Sequence, residues 1–431
     1  MRRLMLAAMG SGSGKTVFTC GLLAALKARG LSVLSFKCGP DYIDPMFHRQ
    51  VLGVPSRNLD LFLQGEAGVR RTLNRQSAEL ALVEGAMGFY DGVKGTDRAS
   101  AWAVAEAADV PVVLVLRPKG SSLTLAAQVR GLLEFRTPSH IAGLLLNDCK
   151  PALYAHLKPI LKGETGLPVL GYLPAMEEAV LESRHLGLLT AGEIEDLTAR
   201  FSAVAQQMEQ TVDIGALLAL AGEASEKECS SVLPPARCKI AVAQDEAFCF
   251  CYQDNLDLLR ENGAELAFFS PIHNQYLPQG ADGLYLPGGY PELYARQLSE
   301  NASMRERIRQ AVAAGLPTVA ECGGLLYLQE TLEDEQGKIW PMAGALPGAG
   351  YRTNHLQRFG YKTLTAEQDS VLLRAGESVP IHEFHYWDST APGAVLSETM
   401  YAGFPHLHFG GALPLAERFV TGAVRWRREH G

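Results

Sequence analysis

At 431 residues the chain is too long for one ordinary core and suits two domains. Hydrophobic residues at 47% and charged residues at 20% describe a soluble globular protein with ample core. A formal net charge of −8 lacks the basic footprint of a nucleic-acid partner, and no apolar run is long enough to span a bilayer.

Met1-Arg2-Arg3 and the apolar run after it imitate a signal peptide, but the run stops at Met9 and enters a glycine-rich turn. Leu4 to Ala8 reads as a strand, Gly10-Ser11-Gly12-Ser13-Gly14 as a turn, and Lys15-Thr16 as the opening of a helix. Glycines let successive backbone N–H groups face one anion, a lysine meets the outer phosphates, and a threonine hydroxyl can ligate magnesium. The segment therefore predicts a nucleoside triphosphate site built on Gly10, Gly12, Ser13, Gly14, Lys15 and Thr16. The strict pattern wants glycine six residues before the lysine, where this chain has Met9. Gly10 stands where NTPases that dimerise across their nucleotides carry a second lysine, so the loop gives no cue for that kind of switch.

Short apolar runs then alternate with helical stretches: Ser32–Phe36, Leu80–Val83, Val112–Leu116, Ile141–Leu146 and Pro168–Leu173. Such alternation predicts a parallel sheet wrapped by helices. Two segments follow these runs with carboxylates. Lys37-Cys38-Gly39-Pro40-Asp41-Tyr42-Ile43-Asp44-Pro45 offers two acids three residues apart, and Val83-Glu84-Gly85-Ala86 ends a buried strand with an acid. Both lie just beyond strand C-termini, where open parallel sheets bind ligands. Magnesium takes oxygen ligands, so Thr16, Asp41 and Glu84 are the expected metal set, with Asp44 as a further candidate.

Composition shifts at Ala221, where a polar, small-residue stretch ends in Pro234-Pro235. The expected organisation is a nucleotide-binding α/β domain over 1–220, a linker over 221–237 and a second α/β domain over 238–431. The second series runs through Lys239–Ala243, Glu265–Phe269, Gly283–Leu286 and Thr318–Ala320. Thr318-Val319-Ala320-Glu321-Cys322-Gly323-Gly324-Leu325 reads as strand, sharp turn and helix with a cysteine at the apex, which exposes a nucleophile. A helix N-terminus behind it is expected to lower the thiol pKa, and the next backbone N–H to stabilise an oxyanion. Leu286-Pro287-Gly288-Gly289 suits an oxyanion-hole loop, and Phe404-Pro405-His406-Leu407-His408 offers a general base. On a strand His406 and His408 share a face, so either could serve Cys322. An acid two residues past the base would complete a triad, but that position is His408, and the pairing reads as a Cys-His dyad. The eight cysteines are scattered with no paired framework, which points to a reducing cytoplasm.

Together these residues resemble the cobyrinic acid a,c-diamide synthase family, glutamine-dependent amidotransferases of cobalamin biosynthesis. The likeness covers nearly the whole chain. It includes Phe36–Asp44, Ser56-Arg57-Asn58-Leu59-Asp60, Val83–Gly92, Ser183–Leu188, Asp245–Phe250, Leu286–Glu292, Ala320–Gly324 and His382–Tyr386. The resemblance implies a P-loop, dethiobiotin-synthetase-like domain followed by a flavodoxin-like class I glutamine amidotransferase domain. It implies Cys322 as nucleophile, His406 as base, and Gly288, Gly289 and Gly323 around the oxyanion. In the first domain a substrate carboxylate would take the γ-phosphate of ATP, and ammonia would attack the acyl phosphate. Arg57, Asn58 and Arg184 are the expected partners of the substrate's carboxylates. The implied partners are cobyrinic acid or a related tetrapyrrole acid, glutamine, ATP and magnesium, with a homodimer left open. Alternatives are the same diamidation on hydrogenobyrinic acid or nickel sirohydrochlorin, or a P-loop regulatory protein with a degenerate glutaminase-like domain. Gln244, Phe404-Pro405 and Arg117-Pro118-Lys119 depart from the family pattern.

Overall fold

The computed structural model describes residues 1–179, 183–184, 187–188, 197–223, 233–391 and 393–431, with backbone alone at 183–184 and 187–188. The side chain of Arg184 and the stretch 224–232 of the expected linker lie outside the described residues. The chain divides into two compact units, Met1–Ser230 and Ser231–Gly431.

In the first unit β1 (Arg2–Ala8), β2 (Val33–Cys38), β3 (Ser56–Leu59), β4 (Leu80–Glu84), β5 (Val112–Leu116), β6 (Ile141–Leu146) and β7 (Val169–Tyr172) form one parallel sheet in the order β3-β2-β4-β1-β5-β6-β7. A short strand at Gly222–Glu223 adds antiparallel to the start of β1. Helices cover the sheet, and its central strands are largely apolar; β4 and β5 are buried along their whole length. Chain order reverses around β1 and β4, and ligands gather at the strand C-termini of such a reversal. Three of those ends meet here. The loop after β1 leads to the helix Lys15–Ala28, and the registers of β2 and β1 on β4 set Lys37 and Leu6 beside Glu84.

The second unit centres on a six-stranded sheet in the order Ala264–Phe269, Cys238–Ala243, Gly283–Leu286, Thr318–Glu321, Met400–Gly403, Val395–Ser397, parallel except for the last strand. Its five parallel strands have the 2-1-3-4-5 order of flavodoxin-like folds, as the resemblance implied. Register pairs Leu286 with Ala320 and Glu321 with Gly403, so the loops after these strands open side by side. Two smaller sheets inserted after residue 328 were not foreseen from sequence. One of them, made of Arg358–Thr365, Ser378–His385 and His406–Leu407, sets His406 against His382.

Among the described residues no helix is long and apolar enough to cross a membrane. The seven described cysteines are free thiols.

Candidate functional site

The turn after β1 is built for close approach. Gly14 has φ +94°, and a Cβ there would run into the Asn147 amide, which donates to Ser13 O at 3.1 Å. Ser13 Oγ donates to Gly10 O at 2.8 Å, and Lys15 Nζ donates to Gly10 O at 3.0 Å and Met87 O at 2.6 Å. Burial, followed by the nearby Lys37 charge, pulls the Lys15 ammonium down to about 8. An anion in the loop would reverse that shift, because it favours the charged form. Arg117 reaches the same loop, donating to Gly12 O at 3.4 Å and pairing with Asp148.

Beside the loop, Thr16 Oγ1 donates to Glu84 Oε1 at 2.7 Å and lies 3.5 Å from Asp44 Oδ2. Lys37 Nζ sits 2.8 Å from Glu84 Oε1 and pairs with Asp44. Burial raises Glu84 to about 7, with the Asp44 charge adding to it. Burial also opposes ionisation of Asp44, but Lys37 outweighs it and holds that carboxyl below its usual range. The ammonium of Lys37 is drawn down by burial, yet Asp44 and Glu84 keep it well above its ordinary value. Removing Lys37 alone would strand two buried carboxylates, a loss of about 3–5 kcal/mol.

Asp44, rather than Asp41, thus shares the threonine hydroxyl with Glu84. Asp41 Oδ1 instead accepts the N–H groups of Ile43 and Asp44 at 2.8 and 3.1 Å, closing the short helical turn Ile43–Met46. That turn carries Asp44 inward. The π-turn Phe47–Val51 then buries His48, whose Nδ1 meets Ser35 Oγ at 2.7 Å and whose Nε2 lies 3.7 Å from Glu84 Oε2. Lys37 and His48 were not singled out from sequence; a charged residue inside the otherwise apolar run of β2 was the signal for the first.

Glu84 Oε2 and Asp44 Oδ1 are buried without a hydrogen-bond partner, an arrangement that fits a divalent cation on oxygen ligands. Among the described residues no three His, Cys, Asp or Glu converge as a self-sufficient cage. Magnesium needs only one or two carboxylates alongside phosphate and water, so the donor set still fits. Asn58 donates both amide hydrogens to Gly39 O and Asp41 O, at 2.9 and 2.6 Å, and so shapes the Asp41 loop. Arg57 is buried on the same strand, β3.

In the second unit Cys322 occupies the apex of the strand-turn-helix with φ 49° and ψ −102°, a backbone state costing on the order of 1–3 kcal/mol for a non-glycine residue. Its N–H donates to Gly403 O at 2.7 Å, and the Gly323 N–H points at its sulfur. The expected lowering of the thiol pKa is not what the structure gives. The helix behind Cys322 is only Gly323–Leu328, and burial, reinforced by Glu292, pushes the thiol up to about 12. Resting Cys322 is a thiol that needs a base. Its alkylation by iodoacetamide in the substrate-free protein is therefore expected to rise about tenfold per pH unit from about pH 7 to about pH 9, without a plateau. Peptide mass mapping separates Cys322 from the half-buried Cys249 and Cys251, and a plateau below about pH 8 would contradict this thiol state.

The Gly288–Gly289 loop packs directly on the elbow: a Cβ at Gly323 would lie 3.2 Å from Gly289 N. A Cβ at Gly288 would lie 2.5 Å from His406 Cε1 and 3.4 Å from His406 Nε2. The nucleophile turn and the Nε2 edge of His406 thus share one wall. Gly288→Ala is expected to displace the imidazole and lower glutaminase kcat by about 10²-fold. Steady-state glutamate release checks this, and an unchanged kcat would show that the ring has room to spare.

His408, still in extended backbone, has partners of its own: Nδ1 accepts the Gly410 N–H at 3.1 Å, and Nε2 lies 3.9 Å from Asp254. Burial lowers His406 to about 3, with His382 and His385 adding to the effect, so it rests neutral.

Two domain families match the chain. The CobQ/CobB/MinD/ParA nucleotide binding domain covers residues 4–188, and the CobB/CobQ-like glutamine amidotransferase domain covers residues 239–407. The chain is 41% identical over 386 residues to a cobyrinate a,c-diamide synthase of Clostridium tetani, a span of 89% of this chain and 87% of that protein. It is 38% identical over 444 residues to that of Clostridium acetobutylicum, covering 97% and 100%. Against that of Salmonella typhimurium it is 39% identical over 453 residues, covering 98% of each. With both domain families matched and nearly the full length shared, the chain belongs to the cobyrinate a,c-diamide synthase family.

Proposed function

We propose that the chain amidates the a and c acetate carboxylates of cobyrinic acid, using ATP and ammonia drawn from glutamine. The observation that carries this reading is the presence, on one chain, of a cysteine elbow and a histidine packed on the same Gly288–Gly289 loop, and of a phosphate loop whose threonine touches buried carboxylates. In the second unit the thiol proton of Cys322 passes to His406 Nε2 while sulfur attacks the glutamine amide carbon. Gly288, Gly289 and Gly323 surround the resulting oxyanion, and their N–H groups are its candidate donors. His406 returns the proton to the departing nitrogen, ammonia leaves, and water later splits the thioester to release glutamate.

In the first unit Lys15 and the loop N–H groups of Gly10, Gly12, Ser13 and Gly14 hold the triphosphate of ATP. A carboxylate oxygen of the substrate attacks the γ-phosphorus, and ADP leaves. Ammonia then attacks the acyl carbon, inorganic phosphate departs, and the nitrogen sheds a proton to give the amide. Thr16, Glu84 and Asp44 would hold magnesium, with Asp41 shaping the loop that carries Asp44. When bound, the ion would supply positive charge to offset that of the phosphates. Arg57 and Arg184 are the proposed cationic partners of the macrocycle's carboxylates. The setting proposed for this chemistry is the cytoplasm.

The test is direct: incubate the protein with ATP, magnesium, glutamine and each tetrapyrrole acid in turn, and weigh the products. Cobyrinic acid is expected to gain two amides. Conversion of hydrogenobyrinic acid or nickel sirohydrochlorin in its place would reassign the substrate, and absence of glutamate release would remove the glutaminase reading.

A further inference from the structure

A histidine that takes a proton from a thiol on one ring nitrogen needs its other nitrogen held, so that the correct tautomer faces the nucleophile and the imidazolium is stabilised. The sequence lacks an acid two residues beyond His406, and His408 in that place meets Gly410 and Asp254. A different acid reaches the ring.

Glu321 ends the strand Thr318–Glu321, immediately before the nucleophile, and is 1% exposed. Its Oε2 lies 3.9 Å from His406 Nδ1. The carboxyl group is itself fixed on both oxygens. Oε1 accepts the Leu407 N–H at 3.1 Å, and Oε2 accepts the Tyr285 hydroxyl at 3.2 Å, while Tyr285 also receives a hydrogen bond from Asn255 at 3.3 Å. The bond to Leu407 anchors the residue next to His406 in the chain, so Glu321 fixes the backbone beside the base and places a carboxyl oxygen 3.9 Å from its Nδ1. The opposite edge, Cε1 and Nε2, faces Gly288.

We propose that Glu321 is the positioning residue of the glutaminase centre, bracing His406 through Nδ1 so that Nε2 serves Cys322. The inference rests on the glutaminase reading above. The elbow thus supplies both the nucleophile and the group that orients its base, from consecutive residues that diverge at the strand end.

The separation of 3.9 Å suits a resting state that tightens when charge develops, as catalytic hydrogen bonds without substrate often do. Burial pushes Glu321 up to about 8 and His406 down to about 3, so the pair rests uncharged near neutral pH. Transfer of the thiol proton creates an imidazolium beside the carboxyl group, and an ionised Glu321 stabilises it. Facing groups are Tyr285 on Gly283–Leu286, Tyr401 on Met400–Gly403, and His382 and His385 on Ser378–His385. Glu292 and Glu383 act on Cys322 itself. The sign follows: a raised Glu321 pKa means that kcat climbs as pH rises through about 8 and the carboxylate forms.

The experiment measures glutamate release from glutamine by the full chain as wild type, E321Q, E321D and C322A, across pH. E321Q preserves shape and the Leu407 bond but presents an amide N–H to Nδ1, fixing the wrong tautomer. The expected result is a loss of about 10³-fold in kcat with KM within about twofold, disappearance of the wild-type limb near pH 8, and recovery of at least about tenfold in E321D. The inference is overturned by E321Q retaining kcat within about threefold of wild type, or by a loss confined to KM. It is also overturned if E321Q and E321D lose activity equally together with thermal stability, since that is the mark of a structural carboxyl. An inactive wild type overturns the glutaminase reading and this inference together. An active wild type with an active E321Q overturns the inference alone.

Discussion

Cys322→Ala is expected to abolish glutamine-dependent amidation, by about 10⁴-fold or more, while amidation from high ammonia at alkaline pH continues. The thiol is the only described cysteine at a strained strand-to-helix apex with an N–H on its sulfur and a histidine edge on the facing loop. No neighbour can replace it, because the acyl group must be held covalently while ammonia leaves. The synthetase chemistry, by contrast, uses no residue of the second unit in this account. Free ammonia brings its own lone pair, so it should replace the glutaminase entirely. The check is amide formation by mass with glutamine or with ammonium chloride as donor. Loss of both activities in a folded protein would mean that the two centres are not chemically independent.

Lys15→Ala is expected to give the complementary pattern: ADP formation and amidation from either nitrogen source fall by about 10²- to 10³-fold, while basal glutaminase activity persists. Lys15 is buried, its ammonium rests on the carbonyls of Gly10 and Met87, and burial has already weakened its proton affinity. Those carbonyls are poor substitutes for a polyphosphate, so an incoming anion gains a charge partner positioned at no further cost of ordering. Alanine removes that partner without crowding the loop. Measuring ADP and glutamate release on the same sample separates the outcomes, and retained ATP consumption would show that the loop does not carry the phosphoryl transfer.

What could be read from sequence was local. The phosphate loop and the cysteine elbow each sit inside about a dozen consecutive residues, where strand, turn and helix follow from hydrophobic run, glycine and periodicity. Both appear where expected, with β1 running to Ala8 and the helix starting at Lys15. The carboxylate arrangement was less legible, since Asp41 and Asp44 lie three residues apart and only the turn that Asp41 closes decides which points inward. His406 and His408 are equivalent in an extended run, and only their partners tell them apart: Glu321 beside the first, Gly410 and Asp254 beside the second. The lowered thiol pKa failed because it weighed a helix terminus and not the buried site, and the desolvation is the larger effect. Glu321 was visible only as part of a motif; its partner is 85 positions away, brought back by the pairing of the strands Thr318–Glu321 and Met400–Gly403, which sets Glu321 beside Gly403.

Nitrogen released at the thiol of one unit is expected to end up on a carboxyl primed by ATP in the other. The most direct measurement supplies the wild-type protein with cobyrinic acid, ATP, magnesium and glutamine labelled with ¹⁵N in its amide, in unlabelled ammonium-free buffer. The predicted result is a product carrying one ¹⁵N for each new amide, with one ADP and one glutamate released per amide formed. A product whose amides carry unlabelled nitrogen, or one formed without matching ADP, would contradict it.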